Sequence, residues 1–332
     1  MRALITGGAG FIGSHLAEKL IKQESDVMII DNLSTGSFDN IKHLTNNSHF
    51  RFAIETILNE TVVDRIVSEC DIIFHLAAAV GVELVVKDPV HTIETNVLGT
   101  HIVLKIANRY CRKVILTSTS EIYGKGVNSS FGENDDRLMG SNTKSRWSYA
   151  CTKSLDEFFS LAYYKQKNLP VVICRLFNTI GPRQTGYYGM VVPRFIRQAL
   201  SGEPITVYED GLQSRCFCNV ADVVEAFLIL SKNAKAEGEV FNVGSTEEIT
   251  ISDLAQKIVE LTGSSSKIVH IPYKEAYEEG FEDMRRRKPN IEKIEKMFGW
   301  KPRRRLDETL KEMIAYEKNL KKKVGQEKKY AK

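Results

Sequence analysis

Tyr149 and Lys153 stand four residues apart in Trp147 to Gln166, a stretch with helical apolar period, so both side chains project from one face. A phenol titrates near ~10, and a neighbouring ammonium favours the phenolate, which makes such a tyrosine a general base for a hydroxyl proton. Tyr-x-x-x-Lys also occurs by chance on many helices, so the pair gains its weight from its surroundings. The apolar run Val114 to Ser118 ends in the series Thr117, Ser118, Thr119, Ser120, Glu121, hydroxyls closed by a carboxylate. At the carboxyl edge of a parallel sheet such a series faces ligands. There Thr119 can hydrogen-bond the oxygen that Tyr149 deprotonates, while a nicotinamide takes the hydride from its carbon.

The second chemical feature is Thr6-Gly7-Gly8-Ala9-Gly10-Phe11-Ile12-Gly13, which follows the first apolar run and opens a helical pattern. Glycines there allow a tight turn and close approach to a pyrophosphate, and the helix start offers free N–H groups. Asp31 ends the next apolar run 18 residues beyond Gly13, where a carboxylate binds a ribose diol. It would repel a 2′-phosphate, and no arginine follows within Asn32, Leu33, Ser34, Thr35 and Gly36, so NAD is expected rather than NADP. A triphosphate-binding loop is excluded because Gly13 is followed by Ser14 with no lysine.

These residues need a scaffold. Ala3 to Thr6, Val27 to Asp31, Ile72 to Leu76, Val114 to Ser118 and Val171 to Leu176 read as buried strands; Phe11 to Ile21, Val90 to Asn108, Trp147 to Gln166 and Val191 to Leu200 read as helices. The alternation predicts an α/β fold, a Rossmann doubly wound parallel sheet. After Leu176 come glycine- and proline-bearing loops, a strand at Ile205 to Tyr208, helices at Ile251 to Leu261 and Asn290 to Phe298, and a short strand near Ile268. The expected division is 1–176 with 216–242 for the Rossmann domain and 177–215 with 243–320 for a smaller, discontinuous C-terminal substrate-binding lobe. Residues 321–332 read as a solvated, fraying basic tail.

With 332 residues, 42% hydrophobic and 27% charged, the chain is an ordinary globular protein, not a fibrous or disordered one. A formal net charge of +4 suits a small anionic ligand as well as anything larger, and neither a nucleic-acid nor a membrane partner is expected. The N-terminus enters a strand without a leader pattern, and Cys70, Cys111, Cys151, Cys174, Cys216 and Cys218 are irregularly spaced, which points to reduced thiols and a cytoplasmic protein. Cys216 and Cys218 share a face but have no second ligand pair, so no metal is expected.

Taken together, the glycine turn, His75-Leu76-Ala77-Ala78, Asn96-Val97-Leu98-Gly99-Thr100, Tyr149/Lys153, Arg175-Leu176-Phe177-Asn178, Gly181-Pro182-Arg183, Ser214-Arg215 and Gly299-Trp300-Lys301-Pro302 resemble the extended short-chain dehydrogenase/reductase family of NAD-dependent nucleotide-sugar epimerases, dehydratases and decarboxylases. The resemblance implies a tightly held NAD that oxidises the sugar C4 hydroxyl, a UDP-sugar substrate, and a homodimer built on helices Val90 to Asn108 and Trp147 to Gln166. It implies cofactor contacts from Gly7, Gly10, Phe11, Ile12, Gly13, Asp31, Asn32, Ser34, Thr35, Gly36, Ile57, Leu76, Ala77, Ala78, Asn96, Thr117, Tyr149 and Lys153. Substrate contacts fall to Ser120, Asn178, Val192, Tyr208, Arg215 and Arg287.

Within that family, Ser120-Glu121 discriminates. Dehydratases resemble Asp-Glu at this place, and here the acid that expels the C6 hydroxyl is a serine. Thr119-Ser120-Glu121 and Arg287-Lys288-Pro289-Asn290-Ile291 are similar to UDP-glucuronate decarboxylases. A C4 ketone is β to the uronate carboxylate, so loss of CO₂ leaves an enolate that donors stabilise. The expected catalytic set is Thr119, Glu121, Tyr149 and Lys153, with UDP-xylose or a UDP-4-keto-pentose as product. A UDP-hexose or UDP-hexuronate 4-epimerase is the alternative. Val80-Gly81-Val82 departs from the substrate loop of the decarboxylases, and Gln184 to Met190, with Tyr187 and Tyr188, can equally shape a pocket for another sugar.

Overall fold

The computed structural model describes residues 1–81, 87–126, 128–186, 190–276 and 284–330, with side chains as far as Lys322. Val82, Tyr187 and Tyr188 lie outside the described residues. The strands are β1 (Arg2–Thr6), β2 (Asp26–Asp31), β3 (Phe50–Ile54), β4 (Ile72–His75), β5 (Lys113–Thr119), β6 (Val171–Leu176), β7 (Thr179–Ile180), β8 (Ile205–Tyr208), β9 (Ser214–Cys216), β10 (Cys218–Asn219), β11 (Glu239–Val243), β12 (Glu248–Thr250), β13 (Ile268–Ile271) and β14 (Arg286–Arg287). The helices are α1 (Phe11–Ile21), α2 (Glu60–Ser68), α3 (Pro89–Ile93), α4 (Gly99–Arg109), α5 (Arg146–Lys167), α6 (Val191–Ser201), α7 (Val220–Ser231), α8 (Ile251–Thr262), α9 (Tyr273–Ala276), α10 (Glu292–Phe298) and α11 (Leu306–Tyr330).

Seven strands form one parallel sheet in the order β11-β6-β5-β4-β1-β2-β3. Its direction of winding reverses between β1 and β4, and ligands of such sheets bind where the strand ends open at that reversal. The central strands are buried along their length, with β4 fully so, as expected of a sheet covered on both faces. Side chains of one face, among them Ile5, Ile29, Phe74 and Ile115, pack with α1 and α7. Those of the other, among them Leu4, Ile73 and Val114, pack with α2 and α4.

A separate core holds Val192, Phe195 and Ile196 of α6, Ile205 and Val207 of β8, Leu254 and Ile258 of α8, and Leu310 and Met313 of α11. Its helices are bounded by local chemistry: Thr250 caps α8 by accepting from Asp253 N, and Gly263 ends it at φ +66°. The mixed sheet β12-β9-β14 and the parallel pair β8-β13 stand beside it. Ile291, Ile294 and Trp300 pack into the first core, and Phe217 into the second.

Several elements differ from expectation. The edge strand β3 and the late strand β11 were not anticipated, and Val90 to Asn108 is not one regular helix. It consists of α3, a π-helical segment Glu94–Leu98 and α4. The widened turn lets Asn96 reach Ala79 on one side and Thr152 of α5 on the other. The backbone of α11 continues through Lys321 to Lys323 as far as Tyr330 instead of fraying at 321, in keeping with the helix propensity of lysine and glutamate. Among the described residues no helix is long and apolar enough to cross a membrane.

Candidate active site

A cavity of about 520 Å³ opens at the carboxyl ends of β1, β4 and β5 and runs to β8, β9 and β14. At the end nearest β1 the backbone turns sharply. Gly7 adopts φ +70°, Gly10 N donates to Gly7 O at 3.1 Å, and a Cβ on Gly13 would stand 2.2 Å from Gly7 O. No side chain caps α1 at Gly10, so the helix start keeps its N–H groups for an anion. Asp31 accepts from Ala9 N at 2.9 Å and Leu33 N at 2.8 Å; burial nonetheless holds its carboxyl above the usual range. Asn32 accepts from Ser34 N and Oγ, bracing the loop beyond.

Behind this turn a threonine and a histidine lock adjacent strands. Thr6 Oγ1 meets His75 Nδ1 at 2.8 Å and accepts from Leu76 N and Ala77 N at 3.1 Å each. Burial pushes the His75 imidazole down to about 3, so it stays neutral as a structural link. Thr117 Oγ1 ties β5 to His75 O at 2.9 Å.

Tyr149 and Lys153 enter from α5. Burial raises the Tyr149 phenol, followed by the charges of Glu121 and Asp156; the neighbouring Thr119 hydroxyl and Arg287 pull the other way. Lys153 Nζ donates to Asp156 Oδ2 at 2.9 Å. The expectation that Lys153 would favour the phenolate is thus opposed here by burial and two carboxylates.

The far end is assembled from distant segments. The parallel pairing of β14 with β9 sets Arg287 opposite Arg215 and Arg286 opposite Ser214. Strand alternation then divides the run Arg285 to Lys288. Arg286 turns outward to Glu248, while Arg287 turns inward, its Nη1 3.3 Å from Glu121 Oε1 and its Nη2 2.6 Å from Asn178 Oδ1. Arg287 Nε has no hydrogen-bond partner among the described residues. The Arg194 guanidinium lies 4.2 Å from the centre of the Tyr208 ring.

Of the residues singled out in the sequence, Gly7, Gly10, Phe11, Ile12, Gly13, Asp31, Asn32, Ser34, Thr35, Ile57, Leu76, Ala77, Ala78, Thr117, Thr119, Ser120, Glu121, Tyr149, Lys153, Asn178, Val192, Tyr208, Arg215 and Arg287 line this cavity. Two do not. Asn96 is buried behind the wall, its amide accepting from Ala79 N and donating to Thr152, and Gly36 packs against Asp31 and the Ala9 backbone. His91, Thr95, Arg146, Arg194, Gln213 and Tyr273 also line it. Their elements reach the cavity only through tertiary packing; the basic Arg146 one turn before Tyr149 was the single local signal.

The profile of the GDP-mannose 4,6-dehydratase family matches residues 4–313. A UDP-N-acetyl-α-D-glucosaminuronate decarboxylase of Bacillus cytotoxicus is 46% identical over 95% of this chain and 97% of its own. UDP-glucuronic acid decarboxylase 6 of Arabidopsis thaliana is 37% identical over 93% and 87%. Among solved structures, the UDP-glucuronic acid 4-epimerase of Bacillus cereus, in complex with UDP-glucuronic acid and NAD, superposes with a TM-score of 0.87 at 29% identity, covering 96% of this chain and 100% of that one. The chain belongs to the GDP-mannose 4,6-dehydratase family of extended short-chain dehydrogenase/reductases.

Proposed function

We propose that this chain is an NAD-dependent decarboxylase of UDP-bound uronic acids. The observation that carries the reading is the convergence of Thr119, Tyr149 and the Glu121–Arg287 pair on one cavity, in a chain 46% identical to a uronate decarboxylase. Its substrate is UDP-glucuronate or the N-acetylglucosaminuronate named for that relative.

The glycine turn fits a dinucleotide: the space a Cβ of Gly13 would fill is taken up by the turn itself, and the uncapped start of α1 faces the cavity. In the proposed complex Gly7, Gly10, Phe11, Ile12 and Gly13 bind the pyrophosphate, Asp31 and Asn32 the adenosine ribose, and Ser34, Thr35, Ile57 and Leu76 to Ala78 flank the rest. NAD, when bound, supplies the hydride acceptor for C4. Tyr149 takes the C4 hydroxyl proton while Thr119 holds the same oxygen. The resulting ketone is β to the carboxylate, and as CO₂ departs the same two groups stabilise the enolate oxygen. Glu121 manages the proton delivered to C5, and Arg287 pairs with a carboxylate or phosphate oxygen of the substrate. Ser120, Asn178, Val192, Tyr208 and Arg215 surround the nucleotide sugar. The first core serves as the cofactor half and the second as the sugar half.

The same reading includes a homodimer and a cytoplasmic setting. Leu98 of the π-helical segment and Leu155 and Phe158 of α5 expose large apolar side chains, Phe158 at 59%, and an apolar face of this kind suits a second copy. A light-scattering mass of two subunits supports it; one subunit at micromolar concentration contradicts it. All six cysteines are free thiols, in keeping with a reducing compartment.

The direct test of the reaction is release of labelled CO₂ from C6-labelled UDP-glucuronate and UDP-N-acetylglucosaminuronate by the purified protein with NAD. Release from either supports the reading; recovery of a C4-inverted uronate with its label intact makes the chain an epimerase instead.

A further inference from the structure

The lysine beside Tyr149 is matched by a carboxylate of its own. Lys153 and Asp156 lie one turn apart on α5, their charged atoms 2.9 Å apart, with side chains 3% and 0% exposed. Asp156 does not line the cavity. Asp156 Oδ1 has no hydrogen-bond partner among the described residues; nearby, the hydroxyl of Thr100 from α4 lowers the same carboxyl and meets His75 Nε2 of β4 at 3.0 Å. Through His75 and Thr6 this chain of contacts reaches the glycine turn.

The other charged groups nearby are committed elsewhere. Glu157, next along α5, is held by Ser118 of β5 and by Nε and Nη2 of Arg175 from β6. Glu121, from the turn after β5, faces Arg287 of β14. His75 is neutral. Among the described residues, Asp156 is therefore the anion in contact with Lys153. An ammonium this deeply desolvated needs one, because a buried unpaired charge is among the costliest features a fold can carry.

We propose that Asp156 is the dedicated counter-ion of Lys153, a positioning residue that keeps the ammonium charged and fixed one turn from Tyr149 and so sets the pH range over which the pair works. The inference rests on the reading of Tyr149 and Lys153 as the catalytic pair. Physical sign follows from charge. An anion behind the pair disfavours a second anion on Tyr149 and favours the cation on Lys153, so its removal lets both groups lose their protons at lower pH.

The experiment compares Asp156→Asn and Asp156→Ser with the unaltered protein, each checked for cooperative melting. The pH profile of kcat with NAD and UDP-uronate is expected to move both limbs to lower pH by about one unit, the size of shift a close charge produces. In ligand-free protein labelled with ¹⁵N-lysine, the Nζ signal assigned by its loss in Lys153→Arg is expected to vanish at lower pH in both variants. Limbs and lysine signal that coincide with those of the unaltered protein, with kcat merely scaled down, overturn the proposal. Tyr149→Phe separates the two levels. If it turns over normally, the catalytic reading fails; if it is inactive while the limbs stay put in both Asp156 variants, only the counter-ion fails.

Discussion

The two ends of the cavity are built by different means. At the glycine turn the working groups are backbone amides of neighbouring residues, held by a Gly10 N to Gly7 O bond and by Thr6 across to Leu76 and Ala77. At the opposite end they are side chains from segments more than a hundred residues apart, as where Arg287 meets Glu121 and Asn178. The first end tolerates little added bulk, since there is no room between Gly13 and Gly7 O. The second is sensitive to what is taken away, since the Arg287 guanidinium is the donor to Glu121 Oε1 and Asn178 Oδ1.

Substitutions can break this contrast. Where the two ends meet, Tyr149→Phe is expected to lower kcat by about 10²–10⁴-fold, with NAD binding by fluorescence titration unchanged. Arg287→Met removes the donor to Glu121 Oε1 and Asn178 Oδ1; a cost of about 2–5 kcal/mol in kcat/KM for the uronate is expected. Gly13→Ala is expected to weaken NAD binding by at least about tenfold, or about 1.4 kcal/mol, read in the same titration. Arg286→Met, one residue from Arg287 but turned outward to a partly exposed Glu248, is expected to leave kcat/KM and the melting temperature close to those of the unaltered protein. Equal effects of Arg286 and Arg287 would erase the distinction between the faces of β14.

A pH experiment sharpens it further. Burial and the charge of Glu121 raise the Tyr149 phenol. Glu121→Gln is thus expected to move the acid limb of any residual activity to lower pH, because the phenolate then forms more easily. An unmoved limb would separate Glu121 electrostatically from Tyr149.

This contrast also explains which features are legible in the sequence. The glycine turn, Asp31 and the Tyr149/Lys153 pair are legible because their geometry follows from spacing within a few residues. Strand β3, at the sheet edge and half exposed, lacks the apolar run that marks β4 and β6, and its interruption by Arg51 hides it. Strand β11 is fixed by pairing with β6, a contact no local pattern announces. The inward aim of Arg287 depends on register with β9, and Asp156 looks like an ordinary helix-surface acid until the fold buries it beside Lys153. Asn96 was expected at the cofactor, yet the π-helical segment turns its amide to Ala79 and Thr152.

On the proposed reading this cavity oxidises C4 of a UDP-uronate and lets its carboxylate go. The most direct measurement is the product mass after incubating the purified chain with NAD and, in parallel, UDP-glucuronate, UDP-N-acetylglucosaminuronate, UDP-glucose and UDP-N-acetylglucosamine. The uronate product is expected to be lighter by one CO₂ as the reduced pentose, or by CO₂ and two hydrogens as the 4-keto form with NADH left behind, and the neutral hexoses to show no mass change. A uronate of unchanged mass and altered retention, with no CO₂ lost, would contradict it.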